Sequence, residues 1–335
     1  MIHINKWARN VRNSNKRMAI PIMTHPGIEL CGGNVKEAVT NGTVHAEAIL
    51  HMDSAYPADG VTAIMDLTVE AEAFGATVDF SENEIPNVMG RLVYDDKTIQ
   101  ALKVPSLDAG RIPQYLKANQ LTVEKINSKP VFGGCAGPFS LAGRLFGLSE
   151  MMMALYMSPD IIVNLLEKCT AFIADYCTEM KKIGLNGVIM AEPAAGLISN
   201  ADCITYSSNY VKQIVEKLQD DNFMIVLHNC GNSGHCTDAM VKSGAAALHF
   251  GNKANMVEVL KQVPKNLLVM GNVDPVNSFK YHTEQQMYDT VMNLLNDTAE
   301  CENYILSTGC DVPPHVSYSN IEAFYQAVKT FNISK

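Results

Sequence analysis

The feature that most constrains this chain is a repeated alternation. Eight short apolar runs, at 18–23, 61–65, 130–134, 187–191, 223–227, 246–250, 267–270 and 304–307, are interleaved with stretches of helical spacing. Each run is too short for a helix and reads as a buried strand. Helical patterns occupy 43–55, 111–126, 138–146, 159–183, 202–218, 236–242, 255–263, 283–299 and 319–331. Thr43 is the expected N-cap of the first of these, while Pro159 opens and Gly184 ends the long one. Strand followed by helix implies parallel pairing with right-handed crossovers. Eight such units predict a TIM (β/α)8 barrel rather than an open doubly wound sheet. No GxGxxG follows the first strand, so the dinucleotide-binding alternative lacks its fingerprint. The expected organisation is one barrel domain over residues 1–335, with an N-terminal extension and an irregular excursion, a hairpin or lid, near 83–104.

A single domain of 335 residues needs a large core, and 47% hydrophobic against 18% charged residues supplies it. The net charge of −9, with no basic run, excludes nucleic acid and anionic membranes as expected partners. No segment approaches the ~18 apolar residues of a membrane span. The polar, basic start MIHINKWARNVRN does not resemble a signal peptide. Nine cysteines in such a chain fit free thiols in a reducing cytoplasm.

In a barrel the chemistry sits at the C-terminal ends of the strands. Polar residues gather there: His25, Asp66 with Glu70, Cys135, Glu192, His228 with Cys230, His249, Asn272 with Asp274, and Cys310 with Asp311. The run 223–227 ends in His228-Asn229-Cys230-Gly231, and 304–307 ends in Thr308-Gly309-Cys310. Side chains two apart on a strand face the same way. If both strands point the same way in one sheet, His228, Cys230 and Cys310 converge. One imidazole and two thiolates suit Zn²⁺ and leave a fourth position open, the catalytic form of a zinc site. The competing reading is that free cysteine is among the most buried residue types. Cys169 and Cys177, within the 159–183 pattern, take that core role.

These residues carry a resemblance to a known family. The segment from about Met18 to Phe331 resembles the uroporphyrinogen decarboxylase superfamily, and within it the corrinoid-dependent methylcobamide:coenzyme M methyltransferases. The resemblance rests on residues 65–75 (MDLTVEAEAFG), 137–143 (GPFSLAG), 228–231 (HNCG), 271–275 (GNVDP) and 306–313 (LSTGCDVP). The Gly-Pro-Phe segment is shared across the superfamily; the His-x-Cys…Cys set is the specific part. The resemblance implies the TIM barrel, a catalytic zinc on His228, Cys230 and Cys310, and a methyl group supplied on a corrinoid bound to a separate protein. It implies a small-molecule acceptor, a thiol of the coenzyme M type or tetrahydrofolate. The true decarboxylases meet a polycarboxylate tetrapyrrole with an Arg-rich N-terminal segment. Here residues 19–27 read AIPIMTHPG, with no arginine between Arg17 and Arg91. A barrel that binds corrinoid or thiol without catalysis is the third alternative.

The other rim residues keep two readings each. Glu192 is either a fourth zinc ligand displaced by substrate or a helix cap. Asp66 and Glu70 either position substrate and orient a ligand or cap the following helix. Asn272 and Asp274 are polar wall residues with substrate or structural roles. His235 and Cys236 open a helix, and His249, alone on an apolar strand, reads as a satisfied core histidine. Met151, Met152 and Met153 are helical core or a surface patch. Association of copies through the outer helices is compatible with the pattern.

Overall fold

The computed structural model describes residues 2–334. Its strands are β1 (Val61–Thr62), the short β2 (Thr77–Asp79) and β3 (Asn87–Met89), then β4 (Val131–Ala136), β5 (Gly187–Ala191), β6 (Met224–Asn229), β7 (Ala247–Phe250), β8 (Leu268–Val273) and β9 (Tyr304–Thr308). Seven of them form one sheet in the order β1-β4-β5-β6-β7-β8-β9, parallel at every pairing. β3 lies within the 83–104 excursion and pairs antiparallel with β2, which precedes it; the excursion also contains a helix, Asp96–Ala101.

The eighth expected strand, 18–23, is reduced to one bridge, Ala19 to Leu306. Proline is the physical reason. On the β9 side, Ile20 N–H donates to the Leu306 carbonyl (2.9 Å) and Leu306 N–H to the Met18 carbonyl (3.0 Å). The opposite edge presents Ala19 and Pro21, and proline has no N–H to give. Contact with the β1 side therefore has one backbone bond, Asp59 N–H to the Ala19 carbonyl (2.9 Å), and otherwise runs through side chains. Ala19 N–H donates to Asp59 Oδ2 (2.8 Å), and Thr24 Oγ1 donates to the Thr62 carbonyl (2.6 Å). The regular sheet is thus a seven-stranded one whose two edges are spanned by residues 18–24.

Alternate residues face opposite sides. Ile22, Phe132, Ile189, Met224, Val226, Leu268, Met270 and Ile305 pack into an inner cluster. Val131, Val188, Ile225, Leu248 and Val269 pack outward against the helices. Both faces are buried, which is why the strands read as unbroken apolar runs. Ile4, Ala8 and Val11 of the helix Ile4–Arg12 join the inner cluster, and Asn5 N–H reaches the Asp221 carbonyl just before β6. The N-terminal segment therefore plugs the N-terminal end of the sheet and leaves the C-terminal end open for chemistry.

Smaller corrections are local. Asn41, not Thr43, caps the helix Gly42–Ala55, its side chain accepting from Thr43 N–H (3.0 Å). The expected helix 202–218 is broken by a wider turn at Ile204–Ser208. Helix Pro159–Ile183 ends at Gly184 in the left-handed region, φ +103°. Met151 is core, whereas Met153 is exposed on the helix Leu148–Met157. Among the described residues no helix is long and apolar enough to cross a membrane.

Candidate metal centre

β6 ends at Asn229, so His228 is a strand residue and Cys230 the first residue beyond it; Cys310 lies two residues past β9. Two strands, β7 and β8, separate β6 from β9 in the sheet. Yet one ligand atom from each of His228, Cys230 and Cys310 lies within 4.8 Å of the others. The curl of the sheet brings the two strand ends together.

Glycine permits the final approach. A Cβ on Gly251, just after β7, would stand 2.6 Å from Cys230 Cα, and one on Gly309 would stand 2.5 Å from Asn252 N. The 251–252 turn thus threads between the two cysteine loops, against the backbone of each. Asn272 holds that turn, its Nδ2 donating to the carbonyls of Gly251 (2.8 Å) and Ala254 (2.7 Å). Asp311, next to Cys310, is fixed from the far side: Oδ2 accepts from Met65 N–H (3.1 Å) and lies 3.1 Å from His25 Nδ1. Burial opposes the charge on His25, but Asp311 beside it raises its pKa above the ordinary value. Behind it, His45 Nε2 accepts from Ile64 N–H (2.9 Å), and burial, with His25 nearby, depresses its pKa to about 3. His25 and Asp311 stood among the strand-end residues in sequence, but their pairing across 286 residues had no local signal.

The three residues suit a soft divalent ion. Both ring nitrogens of His228 are buried and make no well-formed hydrogen bond, with the Cys310 thiol close to the ring. Such a group is costly unless something else satisfies it. Cys230 and Cys310 are half-buried free thiols whose sulfurs face each other across the cluster. The neighbouring thiol holds Cys230 below its ordinary pKa and, with burial, pushes Cys310 up. Tetrahedral zinc with sulfur and nitrogen ligands keeps the donor atoms about 3.5–3.8 Å apart, so closure by about an ångström completes the set. Among the described residues no other trio of His, Cys, Asp or Glu comes together this compactly.

The other rim residues are engaged elsewhere. Glu192 follows β5 and its carboxylate accepts from Phe139 N–H (2.9 Å), Ser140 N–H (2.7 Å) and Ser207 Oγ (3.3 Å). It therefore caps the N-terminus of the helix Pro138–Phe146, and burial pushes its pKa up to about 7. It is not one of the clustered ligand atoms. Glu70 Oε1 accepts from Ala136 N–H (2.9 Å) while Oε2 is buried without a partner, and burial lifts this group also to about 7. Asp66 Oδ1 accepts from Thr68 N–H and Oγ1; Oδ2 accepts from Arg111 Nη1 (2.5 Å) and Tyr115 OH (3.1 Å). Arg111 is further bound by Glu72 Oε2 (2.6 Å) and the Val39 carbonyl (3.1 Å). Asp274 closes a turn, accepting from the Val276 and Asn277 N–H groups and from the side chains of Asn252 and Asn277. Cys169 and Cys177 are core. Cys236 is buried at the start of the helix Thr237–Lys242, and His235 Nε2 meets the Ile198 carbonyl.

Comparison with known proteins places the chain among relatives of known sequence and fold. The methylcobamide:CoM methyltransferase MtbA of Methanosarcina mazei is 27% identical over 277 residues, covering 82% of this chain and 80% of the relative. The protein of the same name from Methanosarcina acetivorans is 26% identical over the same shares. A uroporphyrinogen decarboxylase of Legionella pneumophila is 23% identical over 304 residues, 88% of this chain and 85% of that one. Among solved structures, a methyltransferase from Methanosarcina mazei superposes with a TM-score of 0.87 at 22% identity, covering 97% and 98% of the two chains. A B12-independent methionine synthase from Shewanella sp. W3-18-1 superposes at 0.58 with 13% identity, over 95% and 96%. The resemblance read from the sequence thus reappears in sequence relatives and in fold. The profile of the family described as uroporphyrinogen decarboxylase (URO-D) matches residues 17–331, and the chain belongs to that family.

Proposed function

We propose that this chain is a zinc-dependent methyltransferase that moves a methyl group from a methylated corrinoid, carried by a partner protein, to a small acceptor. The acceptor is a thiol of the coenzyme M type, with tetrahydrofolate the alternative. The observation that carries the reading is the convergence of His228, Cys230 and Cys310 at the open end of the sheet. The methyltransferase relatives support it. So does a sulfur-rich donor set, which favours zinc and a sulfur acceptor. We read residues 18–24 as the eighth stave of a single (β/α)8 barrel, working in the reducing cytoplasm that nine free thiols suit.

His228, Cys230 and Cys310 would hold the metal. Zinc bound there supplies the positive charge that keeps an acceptor thiol deprotonated at neutral pH. The chain does the rest. Two cysteine thiolates offset the metal's charge, so the acceptor sulfur keeps its nucleophilicity. Both cysteines must lose their protons to bind, so metal affinity rises with pH. Asn272, Gly251 and Asp311 hold the ligand loops in place. In the transfer the acceptor sulfur forms a bond to the methyl carbon. The carbon–cobalt bond breaks with its electron pair left on the corrinoid cobalt.

A decarboxylase acting on a polycarboxylate would need free cations at this end. Arg17 is spent at the opposite end, donating to the carbonyls of Thr298, Cys301 and Tyr304. Arg111 is bound by two carboxylates and Arg91 pairs with Glu150, which leaves Arg144, near Asp66 and Glu70, and Lys253, near Cys230, as the cations at this end.

Metal content of the purified protein, beside the Cys310→Ala variant, tests the proposal. The expected result is about one zinc per chain, lost in the variant. Methyl transfer from methylcobalamin to a thiol should fall by at least about 100-fold with the circular-dichroism spectrum unchanged. Normal transfer by the variant, or no zinc in protein guarded from oxidation and chelators, overturns it. Tight corrinoid binding with no methyl loss would point to the non-catalytic barrel.

A further inference from the structure

His249 is not the satisfied core histidine that its apolar strand suggests. It pairs in register with His228 on the neighbouring strand, and both side chains are buried. The two rings meet edge to face, centroids 4.5 Å apart and planes at 83°. Across the interior, His249 Nε2 lies 2.9 Å from Ser307 Oγ, and Ser307 Oγ lies 2.7 Å from the Ile20 carbonyl.

The protons can be assigned from these contacts. A carbonyl only accepts, so the single hydroxyl proton of Ser307 goes to Ile20. Ser307 Oγ then accepts, and His249 Nε2 carries the N–H. In a neutral imidazole the other nitrogen is then bare, so Nδ1 of His249 is an acceptor. It is buried and has no partner. Neither ring nitrogen of His228 makes a well-formed hydrogen bond either, the Cys310 thiol lying close to that ring. If one His228 nitrogen turns its lone pair to a metal, the other must carry a proton. That leaves a buried donor without an acceptor on one ring and a buried acceptor without a donor on the ring in contact with it.

We infer that His249 is the positioning residue of His228, accepting the proton of its non-ligating nitrogen at Nδ1 as the last link of a line from Ile20 through Ser307 to the metal ligand. The inference rests on the metal reading of His228, Cys230 and Cys310. The rings already touch, so a modest turn of the His228 ring as it engages the ion completes the bond. The partner on the far nitrogen of a metal-bound histidine sets its tautomer and orientation and commonly accounts for 10–100-fold in affinity.

Zinc affinity by chelator competition tests this, with the visible spectrum of the cobalt-substituted protein as a second readout. His249→Phe keeps a ring of similar shape and removes both nitrogens. His249→Gln keeps an acceptor. The expected result is zinc binding weaker by roughly 10–100-fold in the Phe variant, a shifted cobalt spectrum, and recovery of most of the loss with Gln. Unchanged affinity in His249→Phe, or equal losses in Phe and Gln, overturns the inference. Should the Phe variant fail to fold, Ser307→Ala and Ser307→Thr carry the test. Ala should weaken binding and Thr, which keeps the hydroxyl, should not; equal affinities overturn it. The unmutated protein is the control: if it binds no zinc, the metal reading itself has failed.

Discussion

Two polar clusters stand at the same end of the sheet, and they are built in opposite ways. Around Asp66, beyond β1, both carboxylate oxygens are taken up by Thr68, Arg111 and Tyr115, and the guanidinium is taken up in turn by Glu72 and a carbonyl. Around His228, at the ends of β6 and β9, the imidazole makes no well-formed hydrogen bond, and its near neighbours include the two thiols. Buried polar groups in native proteins are nearly always satisfied. Around His228 the unfilled groups are an imidazole and two thiols that converge on one point. Polarity at a strand end therefore does not by itself separate framework from ligand; what sets the second cluster apart is the convergence of three soft donor atoms.

The strongest way to break that contrast is Asp66→Ala. Removing one partner of a buried ion pair strands the other, at a cost of about 3 kcal/mol or more. Urea unfolding of the metal-free protein should register that loss, while zinc content stays at the unmutated level. Near-normal stability with lost methyl transfer would move Asp66 out of the framework and into the reaction.

Glu192 tests the boundary between the clusters through pH. Its folded pKa of about 7 lies above the ordinary carboxylate value, so the folded state holds a proton that the unfolded chain releases. Stability is therefore unpenalised below pH 4.5 and declines as pH rises through 7, by up to about 3 kcal/mol. Glu192→Gln removes this slope. The variant should gain relative to the unmutated protein between pH 4.5 and 7.5 and bind zinc equally well. A pH-independent difference, with zinc affinity down tenfold or more, would restore the ligand role.

What was readable in advance follows the range of the interactions. The strand–helix alternation and the His-x-Cys motif are local patterns, and they located the sheet and the candidate ligands. Pro21 was also visible, and its missing N–H explains why the first stave is nearly bare of ladder bonds. The plug helix Ile4–Arg12 carried an apolar stripe, Ile4, Trp7, Ala8 and Val11, hidden among polar neighbours. The fates of the rim carboxylates were not readable. Asp66 meets Arg111 across 45 residues, and Glu192 caps a helix 53 residues before it. His249 depends on Ser307, 58 residues away. A side chain's role is set by whether its hydrogen bonds are filled, and only the folded chain decides that.

Asp274 gives the smallest expected effect and the finest version of the contrast. It sits beyond β8, beside the candidate metal loops, and Asn252 is among its donors. Its four hydrogen bonds outweigh burial and hold its pKa below the ordinary value. Its contribution is thus present above pH 3.8 and lost as pH falls through the folded value. By the same logic as Asp66, a filled carboxylate is framework. Asp274→Ala should cost about 1–2 kcal/mol and leave the Michaelis constant for the acceptor unchanged. Undiminished stability with a Michaelis constant raised tenfold would show that hydrogen bonds within a turn do not exclude contact with substrate, and the satisfied half of the rim would then have to be tested residue by residue.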